Sequence, residues 1–193
     1  SVSKALFSYF AARFDPRHDG ARGEAMNAAE QDVLAALETV KSLPEDEVLR
    51  AAYNILQSLL RTNFYQIPER PVFSVKIDSR KVDVMPDPRP MFEIYVHSNR
   101  LEGIHLRGGR VARGGIRWSD RPDDFRTEIL GLMQPQMLKN TIIVPVGSKG
   151  GFVLKGDVPA PPAIDAWLIN RYSEFISGLL DVTDNILEGT ILH

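Results

Sequence analysis

Residues 72–78 read VFSVKID and residues 91–98 read MFEIYVHS, and these two stretches decide the fold class. In both, apolar and polar residues alternate with a period of two, and β-branched and aromatic residues are frequent, which is typical of half-buried strands. The proline-rich VMPDPRP at residues 84–90 predicts a loop between them. The centre of the chain is therefore predicted to contain a β-sheet.

The preceding residues, 1–66, carry helical patterns instead. One apolar stripe recurs at intervals of three and four residues and consists of Met26, Ala29, Val33, Leu37 and Val40. In the next helix, Ser42 and Glu45 fit a capping box and Pro44 suits an early helical position. The buried face of that helix is predicted to consist of Val48, Ala52, Ile55 and Leu59.

The following residues alternate between strand and helix patterns. Two short strands are predicted in GIHLRGGRVARGGIRW (103–118), and a helix is predicted in SDRPDDFRTEILGLMQPQMLKN (119–140). Two further strands, TIIVPV (141–146) and FVLK (152–155), are predicted on either side of a glycine-rich loop, and a final helix is predicted at residues 160–187. We therefore predict an α/β fold, with a mixed β-sheet domain flanked by helices at 67–193 and a helical segment at 1–66.

Composition excludes several classes of protein. The 193 residues carry a net charge of -2, so no global basic field favours nucleic acid or an anionic membrane. The chain has no cysteine, which excludes disulfides and thiolate metal sites and favours a cytoplasmic location. No apolar run approaches the ~20 residues of a membrane span. The scattered histidines, His18, His97, His105 and His193, show no metal-ligand spacing.

The predicted helix at 119–140 changes character along one face. Phe125, Ile129 and Leu132 are apolar, whereas Gln136 and Lys139, three residues apart, are polar. A face that begins buried and ends polar is typical of a cleft wall. The alternative is that Lys139 is an ordinary lysine at a helix end, where the helix dipole favours a cation. Pro135 should bend the last turn.

Two glycine-rich stretches flank this helix. In ARGGIRW (112–118), Gly114 and Gly115 permit close backbone approach. Arg113 and Arg117 are four residues apart, so in a strand both side chains would lie on the same face, and both guanidinium groups are expected in one cleft. In VPVGSKGGF (144–152), Lys149 lies among three glycines, which predicts a loop open to a ligand. The alternative in both cases is a solvated surface loop.

A cluster of Arg113, Lys139 and Lys149 would carry a specific chemistry. Like charges and desolvation both favour the neutral form of an amine, so one lysine would become available as a general base while the other cations hold carboxylates. Such a site would take a small dianion. The residues around Lys149 do not match a P-loop, and RGGRVARGGIR does not match the G-x-G-x-x-G dinucleotide fingerprint.

Residues 113–152, RGGIRWSDRPDDFRTEILGLMQPQMLKNTIIVPVGSKGGF, resemble the substrate-domain signature of the glutamate dehydrogenases. The large class of bacterial NAD-specific enzymes, whose chains are several times longer, resembles most of this sequence. The resemblance implies that Lys149 is catalytic and activates water. It implies that Gln136 and Lys139 hold the α-carboxylate of the substrate, and that Gly114 and Gly115 line the pocket.

Arg113 departs from the smaller enzymes of this family, which place a lysine there to bind the side-chain carboxylate. The large class is similar to this sequence in having arginine. The resemblance also implies oxidative deamination of L-glutamate to 2-oxoglutarate by a homo-oligomer. NAD and the family's catalytic aspartate are expected in a part of the parent protein beyond this chain, so no cofactor-binding residue is assigned here.

An alternative function is a non-catalytic module that binds an anion or nucleic acid. It would use an arginine-rich stretch at 107–121, which contains Arg107, Arg110, Arg113, Arg117 and Arg121. The net negative charge and the scarcity of aromatic residues between the arginines count against nucleic acid.

Overall fold

The structure is a computed structural model that describes residues 1–18, 21–66, 71–139 and 146–192. Of residues 137–139, 185–187, 191 and 192 it describes the backbone but not the side chains. The chain divides into two compact units. The first consists of Ser1–Leu59 and Lys81–Met85, and the second of Leu60–Arg80 and Pro86–His193.

The first unit is built from three helices, α1 (Val2–Phe14), α2 (Arg22–Leu37) and α3 (Leu43–Ser58). Its core is formed by Tyr9, Ala12, Ala29, Val33, Leu37 and Tyr53. The apolar stripe predicted for α2 is confirmed at its centre, because Ala29, Val33 and Leu37 are all buried.

The buried face predicted for α3 is wrong by about one residue. Val48 is 68% exposed, whereas Leu49, Tyr53 and Leu56 pack into the core. The Tyr53 ring lies edge-on to the Tyr9 ring, and its hydroxyl donates a hydrogen bond of 2.6 Å to Glu30. A long-range contact between aromatic rings therefore sets the rotation of α3.

The predicted start of α3 is confirmed, because Ser42 precedes the helix and Pro44 lies in its first turn, but the capping bond and the C-terminal end need correction. Ser42 is the N-cap residue, but its side chain makes no capping hydrogen bond, so the predicted capping box is not formed. Leu59, predicted as helical, is the first residue of a strand.

The second unit contains a mixed seven-stranded sheet. The strands are β1 (Leu59–Thr62), β2 (Phe73–Asp78), β3 (Phe92–His97), β4 (Leu101–Arg107), β5 (Ala112–Arg113), β6 (Ile116–Trp118) and β7 (Val146–Leu154). Their order is β1-β2-β3-β4-β7-β5, and β6 also pairs with β7. Strand β2 pairs with β3, β3 with β4, and β4 with β7, all in antiparallel orientation, whereas β5 and β6 run parallel to β7.

Helices α4 (Phe125–Lys139) and α5 (Ile164–Asp181) accompany the sheet, and a small hairpin follows, with β8 (Asn185–Leu187) and β9 (Thr190–Leu192). This architecture confirms the predicted α/β class with an N-terminal helical segment. The two sequences on which that prediction rested, VFSVKID and MFEIYVHS, form β2 and β3 in direct antiparallel register.

The glycine-rich segment around Lys149 is not the predicted loop, because residues 146–154 form one continuous strand. This strand, β7, lies in the interior of the sheet, with β4 on one side and β5 and β6 on the other. The Gly150 N–H donates to the Gly115 carbonyl at 3.0 Å. Of the predicted strand TIIVPV, residues 141–145 lie outside the described residues.

The two faces of β7 carry different helices. Phe152 belongs to an apolar cluster with Phe175 and Leu179 of α5, whereas Val153 belongs to a cluster with Ile129 and Met133 of α4. Since successive strand residues point to opposite faces, residues 147, 149, 151 and 153 lie on the face covered by α4, here called the α4 face. Residues 148, 150, 152 and 154 lie on the α5 face.

Two glycines allow α4 to approach β7 closely. A Cβ atom added at Gly147 would lie 2.4 Å from Gln136 Cβ, and one added at Gly151 would lie 2.3 Å from Ile129 Cδ1. Real Cβ atoms do not approach other carbons so closely, because interiors are already close-packed. Gly147 and Gly151 therefore serve helix packing.

We predict that Gly151→Ala destabilises the protein by ~1–3 kcal/mol, because the new methyl group overlaps the fully buried Ile129. Gly131→Ala is the matched control, since Gly131 lies within α4 and a Cβ atom added there would meet no atom within 4 Å. It should instead stabilise by ~0.5–1 kcal/mol. Urea denaturation followed by circular dichroism measures both changes. Equal effects of the two substitutions would contradict this view of the α4–β7 contact.

Candidate functional site

The apolar stripe of α4 leads towards the candidate site. Phe125 and Ile129 are buried as predicted, but Leu132 is 37% exposed and Met133 takes the buried position. Pro135 lies inside the helix, as expected from the sequence. Gln136, one residue later, is half-buried and contacts Gly147 of β7. The predicted amide therefore lies where α4 meets β7.

Lys149 projects from β7 onto the same face. It is half-buried and lies between Gly147 and Gly151, with Leu106 of β4 as its cross-strand partner. A Cβ atom added at Gly115 would lie 3.8 Å from the Lys149 ammonium nitrogen. The amine therefore lies beside the glycine pair that links β5 to β6.

Arg113 reaches this face through strand pairing. It is in parallel register with Gly147, so its side chain leaves the sheet on the α4 face, the face to which Lys149 also belongs. Arg113, Gly114 and Gly115 are exposed.

The structure thus brings five of the predicted site residues together: Arg113, Gly114, Gly115, Gln136 and Lys149. Lys139 ends α4 three residues after Gln136, but its side chain lies outside the described part of the chain. Whether Arg113, Lys139 and Lys149 converge as a set of three cations therefore stays a prediction.

The polar groups on this face are available to a ligand. Within residues 1–18, 21–66, 71–139 and 146–192, the side chains of Arg113, Gln136 and Lys149 make no hydrogen bond or ion pair. A guanidinium, an amide and an ammonium group can each donate hydrogen bonds to a carboxylate. Their common chemistry is the recognition of an anion with more than one acceptor group.

Arg117 does not join these groups, which corrects the expectation that both arginines point into one cleft. Its register with Gly151 does place it on the α4 face. However, its guanidinium pairs with Glu128 of α4 at 3.0 Å, and Ser119 donates a 2.6 Å hydrogen bond to the same carboxylate. The Glu128 side chain is only 10% exposed and needs these partners, because an unpaired buried charge is costly.

Gly114 is fixed by a contact between backbones. A Cβ atom there would lie 1.5 Å from the Ser148 carbonyl oxygen, so only glycine fits this approach of β5 to β7. Gly115 has room for a methyl group, and the nearest atom to it would be the Lys149 nitrogen. The two adjacent glycines therefore have different roles, one in the backbone and one at the amine.

Comparison with known proteins decides the family. A model of the family described as bacterial NAD-glutamate dehydrogenase, catalytic domain, matches residues 32–193. The chain belongs to this family.

Curated relatives agree with that assignment. The NAD-specific glutamate dehydrogenase of Pseudomonas aeruginosa is 50% identical over 171 residues, which is 84% of this chain and 10% of the relative. The enzymes of the same name from Mycobacterium tuberculosis and Halomonas elongata are 47% and 43% identical over 97% and 99% of this chain, and over 12% of each relative. The chain thus spans about a tenth of the length of these glutamate dehydrogenases.

An ion pair that the sequence did not reveal anchors α4. Arg126 binds Glu93 of β3 through two hydrogen bonds of 2.9 and 2.7 Å. Glu93 is 5% exposed and faces α4, because its cross-strand partner is Leu106. A charged residue at a buried strand position is the signal that suggests a partner, but it does not identify Arg126.

The arginine-rich stretch of the alternative hypothesis does not form one basic surface. Arg117 pairs with Glu128, Arg121 pairs with Asp124, and Arg113 lies on the α4 face. Arg107 and Arg110 line a cleft elsewhere. A nucleic-acid site built on all five arginines is therefore not supported.

Among the residues that the structure describes, no group of three or more acidic or histidine side chains is arranged to hold a metal ion. No helix in the described ranges is both long and apolar enough to cross a bilayer.

We predict opposite consequences for the two neighbouring glycines. Gly114→Ala should lower stability or prevent β5 from pairing, because its methyl group would overlap the Ser148 carbonyl. Gly115→Ala should fold normally, yet alter the surroundings of the Lys149 amine. Denaturation tests the first expectation, and the NMR shift of the Lys149 side chain tests the second. An unchanged Lys149 signal in Gly115→Ala would contradict the proximity of these groups.

Proposed function

We propose that this chain forms the substrate-binding part of an NAD-dependent glutamate dehydrogenase that converts L-glutamate to 2-oxoglutarate and ammonium. The observation that carries the proposal is the position of the Lys149 amine beside Gly115, on the face that also presents Gln136 and Arg113. The names of the curated relatives support the same reaction.

The substrate carries two carboxylates, and the α4 face offers separate donors for each of them. Arg113 is proposed to bind the side-chain carboxylate, since a guanidinium can hold it through two parallel hydrogen bonds. Gln136 and Lys139 are proposed to bind the α-carboxylate. Gly115 is proposed to leave room for the substrate beside the Lys149 amine, and Gly114 is proposed to line the pocket with its backbone.

Lys149 is the proposed general base. In its neutral form, the amine would accept a proton from water as the water oxygen attacks the substrate iminium carbon. Its place in a strand with partners on both sides suits this role, because a rigid element holds a reacting group more accurately than a loop does.

We propose that NAD does not bind to the described residues. A pyrophosphate commonly binds where a glycine-rich turn leads from a strand into a helix N-terminus. The residues that lead into α4 include Asp120, Asp123 and Asp124, whose charges oppose a phosphate. We therefore propose that NAD binds to a part of the full-length protein beyond this chain, where the family resemblance also implies the catalytic aspartate.

We predict that Lys149→Ala in the full-length protein lowers kcat by ~100- to 10,000-fold and changes KM little, because the carboxylate donors remain. Lys139→Ala should mainly raise KM, since it removes a contact already made with the bound substrate. Steady-state kinetics with glutamate and NAD separates the two variants.

Lys155→Ala is the matched control for these variants. This lysine follows β7, and its ammonium group pairs with Glu102 at 3.0 Å. It should keep nearly wild-type kinetics. A Lys149→Ala enzyme within about threefold of the wild-type kcat would be inconsistent with the proposed base.

A further inference from the structure

A second cleft lies on the opposite, α5 face of the sheet. It has a volume of about 420 Å³, within the ~300–1,000 Å³ typical of small-molecule sites. Its walls come from β1 to β4, from the turn after β4 and from the residues after α5. The lining residues include Arg61, Lys76, Phe92, Arg107, Arg110 and Asp184.

The charge of this cleft is strongly positive. Four cationic side chains face one carboxylate, Asp184, and that carboxylate is paired with Arg61. Across the described parts of the chain, Lys76, Arg107 and Arg110 form no ion pair with a carboxylate. A concave surface lined by charges of one sign concentrates its electric field and attracts counter-ions.

Lys76 lies among the other cationic side chains of the cleft. It is half-buried, and its ammonium nitrogen lies 4.9 Å from the centroid of the Phe92 ring. Burial lowers the pKa of Lys76, and the charges of Arg61 and Arg107 lower it further, against an opposing effect of Asp184. An anion bound beside this ammonium would offset both the burial and the repulsion.

Two other groups near Lys76 add no compensating charge. His105 lies two strands away in the same row of the sheet, through Ile94. Burial, with a smaller contribution from Arg107, lowers the pKa of His105 to about 4, so its ring is neutral at pH 7. Asp78, which is on the same face, is held by two hydrogen bonds from Arg80. The excess of positive charge around Lys76 therefore persists.

We propose that this cleft binds a small polyanion, a molecule with two or more carboxylate or phosphate groups. Arg107 and Arg110 would hold one anionic group at the turn after β4, where Arg107 already donates to the Arg110 carbonyl at 3.0 Å. Lys76 and Arg61 would hold another in the interior of the cleft. The site is separate from the proposed glutamate site, because Lys76 lies on the α5 face and Lys149 on the α4 face.

Isothermal titration calorimetry of the 193-residue chain with citrate and with pyrophosphate tests this proposal. At least one probe should bind, and the choice between them identifies the preferred anionic group. Lys76→Gln and Arg110→Gln should each weaken binding about tenfold or more, since each removes a charge-assisted contact. Lys41→Gln, which removes the charge of an exposed lysine in the first unit, is the charge-matched control and should bind as tightly as the wild type.

Several outcomes would overturn the proposal. Binding of neither probe would do so, as would equal weakening by Lys41→Gln. A loss of binding in Lys149→Gln but not in Arg110→Gln would move the anion to the α4 face. Tighter binding of a short single-stranded oligonucleotide, in competition with both probes, would replace a small molecule by nucleic acid. Arg110→Gln keeps the test valid if the half-buried Lys76 proves necessary for folding.

Discussion

The close contact between α4 and the interior strand β7 is the constraint on which the rest of the site depends. It is possible only because Gly147 and Gly151 have no side chain where Gln136 and Ile129 press against the strand. Larger residues at these positions would push the helix outward. The contact fixes where α4 ends, and with it the positions of Gln136 and of the Lys139 backbone.

The same strand also organises the opposite side of the site. β5 and β6 are short and run parallel to β7, and the glycine pair between them lies against it. Because Lys149 lies between Gly147 and Gly151 on the face shared with Arg113, a single strand positions the amine, the helix and the guanidinium. A flexible loop, as the sequence suggested, would not hold these groups in a fixed relation.

Local patterns in the sequence were sufficient for much of the fold. The alternation in β2 and β3 located both strands, although both of their faces are largely buried. The stripe of α2 reports which face of that helix is buried, since burial there follows the repeat of the helix. The same reasoning identified Arg113, Gly114, Gly115, Gln136 and Lys149, which the structure brings to one face.

Contacts between distant segments explain what the sequence did not reveal. Tyr53 turns α3 by about one residue to reach Tyr9 and Glu30, and Glu128 draws Arg117 out of the expected cleft. The glycines around Lys149 suggested a loop because glycine disfavours strands, but β4, β5 and β6 supply hydrogen-bond partners on both sides. None of these partners is adjacent in sequence.

A structure of the full-length protein with 2-oxoglutarate bound is the most direct test that the α4 face of this segment is the glutamate site. The account predicts one carboxylate on Arg113, the other on Gln136 and Lys139, and the keto carbon beside the Lys149 amine, with space for a single water molecule between them. A ligand bound away from these residues, or a Lys149 amine turned from the keto carbon in that complex, would contradict it.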